Sequence, residues 1–438
     1  MKKISYILLL VIFVQFQSFS QSWETVGIEG YTAFGAQYPD LSIYNGVPYV
    51  AFKDAANAEK CTVMKYIGSS WVIVGTAGFS AGIARNQSIA IDQSNGDIYV
   101  AYSDAENGSK TTVMKYAGSS WQVVGTVGFS AMAGYQSLII DNGTPYVAFE
   151  EYYAKLMKFN GSTWEYVGGV LPGSMDQVWY TNLAMYNNSP YIVYRDIYNS
   201  SKTTVVHLGA NNTWEPLGIP AFSDGDSKYQ SIAIDSNGIV YVAYQDILNG
   251  GKATVKKFEN SSWTTVGTSG FTLGTAIATN IEINNGVVYL SFIDESEASK
   301  ITVMKLVGQN FVAVGTAGLS VGAAYGPKLA FDNDITYVSY ADITLGNRAT
   351  LKKFTDVSSA QLNELEDVNV EIYPNPAKNY LEIESSEIVN EVQIVDFTGK
   401  VIKIEHSQKF SIEDLSPGLY ILNLSTSKGM VIRKLVIE

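Results

Sequence analysis

Cysteine occurs once in the 438 residues, at Cys61, and histidine twice, at His207 and His406. One thiol excludes an internal disulfide, so stability in an oxidising compartment has to come from packing and hydrogen bonds. A solitary His207 with no second His or Cys nearby offers no zinc-ligand spacing and reads as structural, as does Cys61, which stands where Thr111 and Thr203 stand in other repeats. No cofactor and no metal is called for by these residues. Charge is also scarce: only 16% of residues are charged, and the formal net charge is -13. That balance lacks the positive surface that nucleic acid or an anionic membrane requires. After residue 20 no apolar run is long enough to span a bilayer, so no transmembrane segment is expected. What is abundant is Tyr, at 29, and Gly, at 38, in a chain that is 46% hydrophobic. This composition suits a β-rich globular protein.

Met1 to Ser20 places Lys2 and Lys3 before an apolar stretch from Ile7 to Val14, and ends in a small-x-small site at Ser18-Phe19-Ser20. Residues 1–20 read as a secretory signal peptide cleaved after Ser20. No cysteine lies near that site, which leaves no N-terminal lipid anchor.

Internal repetition decides the architecture of residues 21–355. An aromatic-x-x-(Val/Leu)-Gly motif recurs at Trp23, Trp71, Trp121, Trp164, Trp214, Trp263 and Phe311, at spacings of 43 to 50 residues. Between successive motifs lie three further strand-like runs, such as "SIAID", "IYVAYSD" and "KTTVMKYAG", punctuated by Gly and Asn turns. Four short strands per unit predict an all-β chain folded as a seven-bladed β-propeller over residues 21–355, with four-stranded blades. The last unit, Lys328 to Phe354, stops after its third strand, while Trp23-Glu24-Thr25-Val26-Gly27 is an aromatic strand with no unit before it. The N-terminal strand is therefore expected to close the last blade, leaving no open sheet edge at the chain ends. The repeated Trp residues are expected between blades, together with Phe79, Phe129, Phe271 and Leu319 of the connecting loops.

A short polar, acidic stretch, 356–366, separates this ring from a different kind of sequence. Residues 367–438 carry Tyr373-Pro374-Asn375-Pro376, Gly399-Lys400, Leu415-Ser416-Pro417-Gly418-Leu419-Tyr420 and Lys434-Leu435-Val436-Ile437 in that order. This tail resembles the type A C-terminal sorting domain of the Bacteroidetes type IX secretion system. The resemblance implies a small C-terminal β-sandwich, export by the type IX machinery, and a secreted or outer cell-surface location. It also implies a sorting signal that includes Pro374, Asn375, Pro376, Gly399, Lys400, Pro417, Gly418, Tyr420 and Lys434.

Within the ring, an acid at the end of each second strand is followed six residues on by a base: Asp54/Lys60, Asp104/Lys110, Asp196/Lys202, Asp246/Lys252, Asp294/Lys300 and Asp342/Arg348, with Glu151/Lys155 in the third unit. A functional reading makes these a carboxylate ring for metal or substrate. The structural reading, favoured because every unit has the pair, is that each Asp holds its own hairpin turn and pairs across it with the base. Departures from the repeat point elsewhere. The third unit's second hairpin shortens to "FEEYYAK", the next connection reads "GGVLPGSMDQVWY", and Arg195 precedes the repeat Asp of the fourth unit. Glu150, Tyr152, Tyr153, Trp179 and Arg195, with Tyr180, Met175 and Asp176, are thus expected to form a ligand-binding patch. Aromatic rings beside carboxylates and a guanidinium suit sugars, whose C–H faces stack while their hydroxyls take polar partners. The alternative is a locally repacked blade. "FSDGDSKY" carries Asp224 and Asp226, a weak calcium motif or simply a turn.

Three functional readings fit these residues. A secreted or surface binding protein of adhesin or glycan-capture type needs no catalytic group, which fits a chain so regular and so poor in His and Cys. A hydrolase or lyase acting on polysaccharide or glycoconjugate needs a matched acid and base, and Glu150, Glu151 and Asp176 supply carboxylates without a spacing that singles them out. No catalytic residue is assigned. A sialidase-like triad of Arg85, Arg195 and Arg348 is disfavoured, since Arg348 fills a repeat position and no Asp-box occurs. A protein-binding scaffold is the third reading, with a surface glycan or protein as ligand.

Overall fold

The computed structural model describes residues 22–169, 171, 177–355, 370–395, 401–426 and 429–438. The expected signal peptide and the 356–366 connection lie outside these, as do Met175, Asp176, Gly399 and Lys400. The chain divides into two compact units, Met1–Thr355 and Asp356–Glu438. Among the described residues no helix is long and apolar enough to cross a membrane.

The described residues of the first unit form seven four-stranded antiparallel sheets. Their innermost strands are Ala36–Tyr44, Ala84–Ile91, Gly134–Asp141, Val178–Tyr186, Ser227–Ile234, Ala276–Asn284 and Ala324–Asp332. Each neighbours the next, and the seventh neighbours the first. The seventh sheet is completed from the other end of the chain: Glu24 and Thr25 pair with Lys353 and Lys352 as its outermost strand. Second strands such as Ile98–Asp104 are buried along their whole length because both sheet faces are covered, which explains their unbroken apolar runs.

The aromatic motif is the joint between sheets. Each indole N–H donates to a carbonyl of the preceding sheet: Trp71 to Val26, Trp121 to Val74, Trp164 to Val124, Trp214 to Val167, Trp263 to Leu217 and, at the closure, Trp23 to Val314 at 2.7 Å. A loop aromatic stacks on the same ring, as Phe79 on Trp121 at 3.9 Å and Phe129 on Trp164 at 4.3 Å between centroids, and Phe271 stacks on Phe311. The motif's glycine is required by this approach. At Gly168, φ is +69° and a Cβ would sit 2.4 Å from Trp214 Nε1, so both backbone and space exclude a side chain.

The repeat acids hold their turns. Asp104 accepts from Glu106 N at 3.2 Å, Asn107 Nδ2 at 2.8 Å and Thr112 Oγ1 at 3.1 Å, and Thr112 Oγ1 accepts from Gly128 N. Asp54, Asp196, Asp246 and Asp294 bond the Thr eight residues on in the same way. The base stands opposite in register, as Asp104↔Lys110, but no ion pair joins these Asp residues to their bases among the described residues. The half of the expectation that relied on charge pairing is therefore corrected: the carboxylates are saturated by neutral donors. Asp104→Ala is expected to destabilise the ring by about 1 to 3 kcal/mol, because buried donors lose their acceptor. Chemical denaturation would measure it.

The third unit departs from the repeat by one position more than its spacing suggests. Glu150, not Glu151, pairs with Gly134 at the position where Asp54 pairs with Ala36. Position 156 is Leu where the other hairpins present Thr, so the turn network has no counterpart here.

The described residues of the second unit form two sheets. One contains Val370–Tyr373, Tyr380–Ser385 and Lys409–Ser411, the other Val401–Glu405, Val389–Val395, Gly418–Thr426 and Gly429–Ile437. Leu381, Ile383 and Phe410 from the first share one apolar core with Val392, Ile394, Leu422 and Leu435 from the second. Asn375 is stitched to the last strand, donating to Lys434 O at 2.7 Å and accepting from Val436 N at 2.9 Å. This gives the Pro374-Asn375-Pro376 segment and Lys434 a common location. Tyr420 Oη donates to Ser416 O beside Pro417 and Gly418.

Candidate functional site

Every innermost strand of the ring breaks register at one equivalent place, between Gln37/Asp40, Arg85/Ser88, Gly134/Ser137, Trp179/Asn182, Lys228/Ser231, Ile277/Asn280 and Tyr325/Lys328. The bulged residues adopt positive φ: Tyr38, Asn86, Tyr135, Tyr180, Tyr229, Ala278 and Gly326. Six of the seven are not glycine. Left-handed backbone at bulky residues costs about 1 to 3 kcal/mol each and concentrates at ligand sites. Here it turns side chains toward one cavity on the ring axis, of about 430 Å3.

The cavity is walled by tyrosines. Tyr180 lies 5.5 Å edge-on from Tyr135 and 4.8 Å from Tyr229, and Tyr38 lies 6.3 Å from Tyr325 across the ring closure. Burial, followed by the neighbouring Tyr229 and Tyr135 hydroxyls, pushes the Tyr180 phenol up to about 12. It is therefore a hydrogen-bonding phenol at neutral pH. The bulges of the sixth and seventh sheets place Ala278 and Gly326, and no ring, at the equivalent positions.

Just past the bulge, one polar side chain per sheet reaches the backbone of the next. Asp40 Oδ2 accepts from Ile89 N at 2.8 Å, Ser88 from Leu138 N, Ser137 from Leu183 N, Asn182 from Ile232 N, Ser231 from Ile281 N and Asn280 from Leu329 N. The seventh position is Lys328, which cannot accept. Its ammonium lies 3.7 Å from Asp40 Oδ1 instead. Two residues beyond Asn280, the Glu282 carboxyl is pushed up to about 7 by burial, with Asp40 adding and Lys328 and Asn280 opposing.

The expected patch meets this cavity on one side. Trp179 precedes Tyr180 and carries the Arg195 guanidinium over its ring at 5.3 Å, and Arg195 is bound by Asp226 through Nη2 at 2.8 Å. Glu150 is 93% buried by surface and accepts from Thr181 N at 2.9 Å, which ties the third sheet to the bulge of the fourth. Burial pushes its carboxyl up to about 8 against those backbone bonds. Tyr152 and Tyr153 pack edge-on at 5.0 Å on the hairpin after Glu150, with the Lys155 ammonium over Tyr153. The structure thus joins Glu150, Trp179 and Arg195 around Tyr180. Asp224 and Asp226 are matched to Lys256 and Arg195, so the calcium reading is corrected to a pair of ion pairs. His207 stacks on Tyr191 and Cys61 is fully buried, its thiol pushed up by burial.

Of the axial tyrosines, the sequence singled out Tyr180 alone. Their signal was present: Tyr-x-(Asp/Ser/Asn) recurs at the start of the first strand in "QYPD", "GYQS", "WYTN" and "KYQS".

With this geometry in view, the ring is a propeller-like fold of four-stranded sheets. A polysaccharide lyase of family PL25, an ulvan lyase, superposes with a TM-score of 0.53 at 13% identity, covering 76% of this chain and 96% of that one. The ulvan lyase bound to -[GlcA(1-4)Rha3S]- gives 0.51 at 13%, with the same coverage. The α-L-arabinanase of Penicillium chrysogenum, complexed with arabinobiose, gives 0.43 at 12%, covering 76% of this chain and 98% of that one. At such identities the likeness establishes the fold alone. No curated protein matches the chain. Residues 371–438 match the Secretion system C-terminal sorting domain family, and this segment is a type IX secretion tail. The tail marks the protein for export, to the cell surface or beyond it, by the type IX machinery.

Proposed function

We propose that this is an exported polysaccharide-acting enzyme of hydrolase or lyase type, whose substrate enters the tyrosine-walled cavity on the ring axis. In this reading residues 1–20 are a signal peptide and the seven sheets are the blades of one propeller closed by the N-terminal strand. The two tail sheets form a β-sandwich. The observation that carries the reading is the set of bulges by which all seven innermost strands line one cavity, four of them with a tyrosine. Glu150 and Trp179 adjoin it through Thr181 and Tyr180, and in this reading they form an outer rim with Arg195, Tyr152 and Tyr153. Likeness to a polysaccharide lyase across 96% of that enzyme fits turnover better than the adhesin expected from the regularity of the sequence. Two carboxyls with raised pKa beside the cavity, Glu150 and Glu282, supply protonated acids near neutrality.

The test is end-group analysis of a polysaccharide panel treated with the mature protein. New reducing ends are expected, and unsaturated, ultraviolet-absorbing ends in addition if the reaction is elimination. Tyr180→Ala and Tyr229→Ala should each lower kcat/KM by about tenfold or more, the scale of a lost aromatic platform. Binding without new ends would replace turnover with capture. Unchanged chains and no binding would end the glycan reading.

A further inference from the structure

The belt of hydrogen bonds around the axis treats six junctions alike and the seventh differently. At six, a Ser, Asn or Asp oxygen accepts from the next strand, whereas the junction between the seventh and first sheets presents Lys328. A structural repeat calls for an acceptor there, so the lysine is not explained by the belt. It is the one cation among the described residues that line the cavity, and its side chain is 42% exposed. Its nearest carboxylate oxygen, on Asp40, stands at 3.7 Å, longer than a hydrogen bond. The other Asp40 oxygen is held by Ile89 N at 2.8 Å, which anchors that carboxylate to the belt and not to the ammonium. Lys328 lines the cavity beside the Tyr38–Tyr325 pair, while the neighbouring bulge positions Ala278 and Gly326 carry no ring, so the charge borders both an aromatic surface and ring-free lining. Glu282, the other acid near Lys328, is driven toward its neutral form by burial.

We propose that the axial cavity selects acidic glycans: the Lys328 ammonium receives the carboxylate or sulfate of one sugar while the tyrosine wall holds the adjoining rings. This rests on the axial cavity being the glycan site. An ammonium in a partly enclosed cavity is worth more to an anion than one in open solvent, because screening is weaker there. It also opposes the repulsion that a chain of net charge -13 exerts on a polyanion.

Affinities of the full mature chain are measured for soluble oligosaccharides of matched length: alginate-derived, bearing carboxylates; carrageenan-derived, bearing sulfates; and laminarin-derived, neutral. At least one acidic series is expected to bind more tightly than the neutral one. Lys328→Gln should weaken that series by about ten- to a hundredfold, the scale of a charge-assisted hydrogen bond, and leave the neutral series unchanged. Asp40→Asn keeps an amide oxygen for Ile89 N–H and removes the competing charge, so it should tighten acidic binding. Should Lys328→Gln fail to fold, Asp40→Asn decides alone. An effect confined to alginate assigns the carboxylate, and one confined to carrageenan the sulfate. Equal binding of neutral and acidic series, or equal losses for both in Lys328→Gln, overturns the selectivity and leaves the glycan site standing. No binding of any oligosaccharide by the folded protein overturns both.

Discussion

Trp214→Ala is expected to lower the unfolding free energy of the ring by about 3 to 5 kcal/mol, the cost of emptying a buried aromatic site. The indole is only 5% exposed and its N–H donates to Val167 O at 3.1 Å across the joint between the third and fourth sheets. Gly168 lies directly against it, with no side chain that can swing in to fill the space. Trp214→Phe separates the two contributions, since it keeps most of the ring and loses only the hydrogen bond, for about 0.5 to 1.5 kcal/mol. One joint already carries such a change, with Phe311 stacked on Phe271 and no indole donor. Urea unfolding followed by far-ultraviolet circular dichroism reads both variants. A loss below about 1 kcal/mol for Trp214→Ala would mean that the joints are not what holds the sheets together.

Glu150→Gln is expected to stabilise the protein above pH 8 and to flatten its stability between about pH 4.5 and 8. Burial raises the folded-state carboxyl to about 8 from the ordinary value of 4.5. Between those two values the folded chain holds a proton that the unfolded chain has released, so stability falls as pH rises through the window and levels off above it. The total span is on the order of a few kcal/mol, at about 1.4 kcal/mol for each unit of pKa difference. A glutamine keeps the carbonyl oxygen that accepts from Thr181 N, so the link to the fourth sheet survives while the buried charge disappears. Thermal midpoints across pH 4 to 9 for both proteins check this. Parallel curves would show that Glu150 ionises as readily in the folded chain as in the unfolded one.

The repeat made most of the ring legible. Spacing of the Trp motif fixed the number of four-stranded units, and the orphan strand at Trp23 with the short last unit foretold the pairing of Glu24 with Lys353. These features were readable because identical local contacts recur, and a recurrent residue finds a structural partner in each unit. The same regularity concealed the cavity. Tyr180 stood out only because it lies in a divergent connection, while Tyr38, Tyr135 and Tyr229 recur and drew no assignment, yet a recurrent position on the innermost strand is also the one place where all units converge. Periodicity along the chain does not distinguish a residue facing the neighbouring sheet from one facing the axis, because the bulge that turns it is a backbone event. The repeat acid of the third unit was assigned to Glu151 for a related reason. Deleting residues from the hairpin shifts the acid by one position, and only the register with Gly134 reveals it.

Ring closure by the N-terminal strand also sets an order of assembly. Among the described strands of the ring, the outermost strand of the seventh sheet is made first and its partner Arg348–Thr355 last, upstream of the sorting tail. A chain cut short before Arg348 therefore lacks both the clasp for its ring and the address for its export. A chain that carries the tail has already synthesised every sheet of the ring, so the address for export is added only after the clasp.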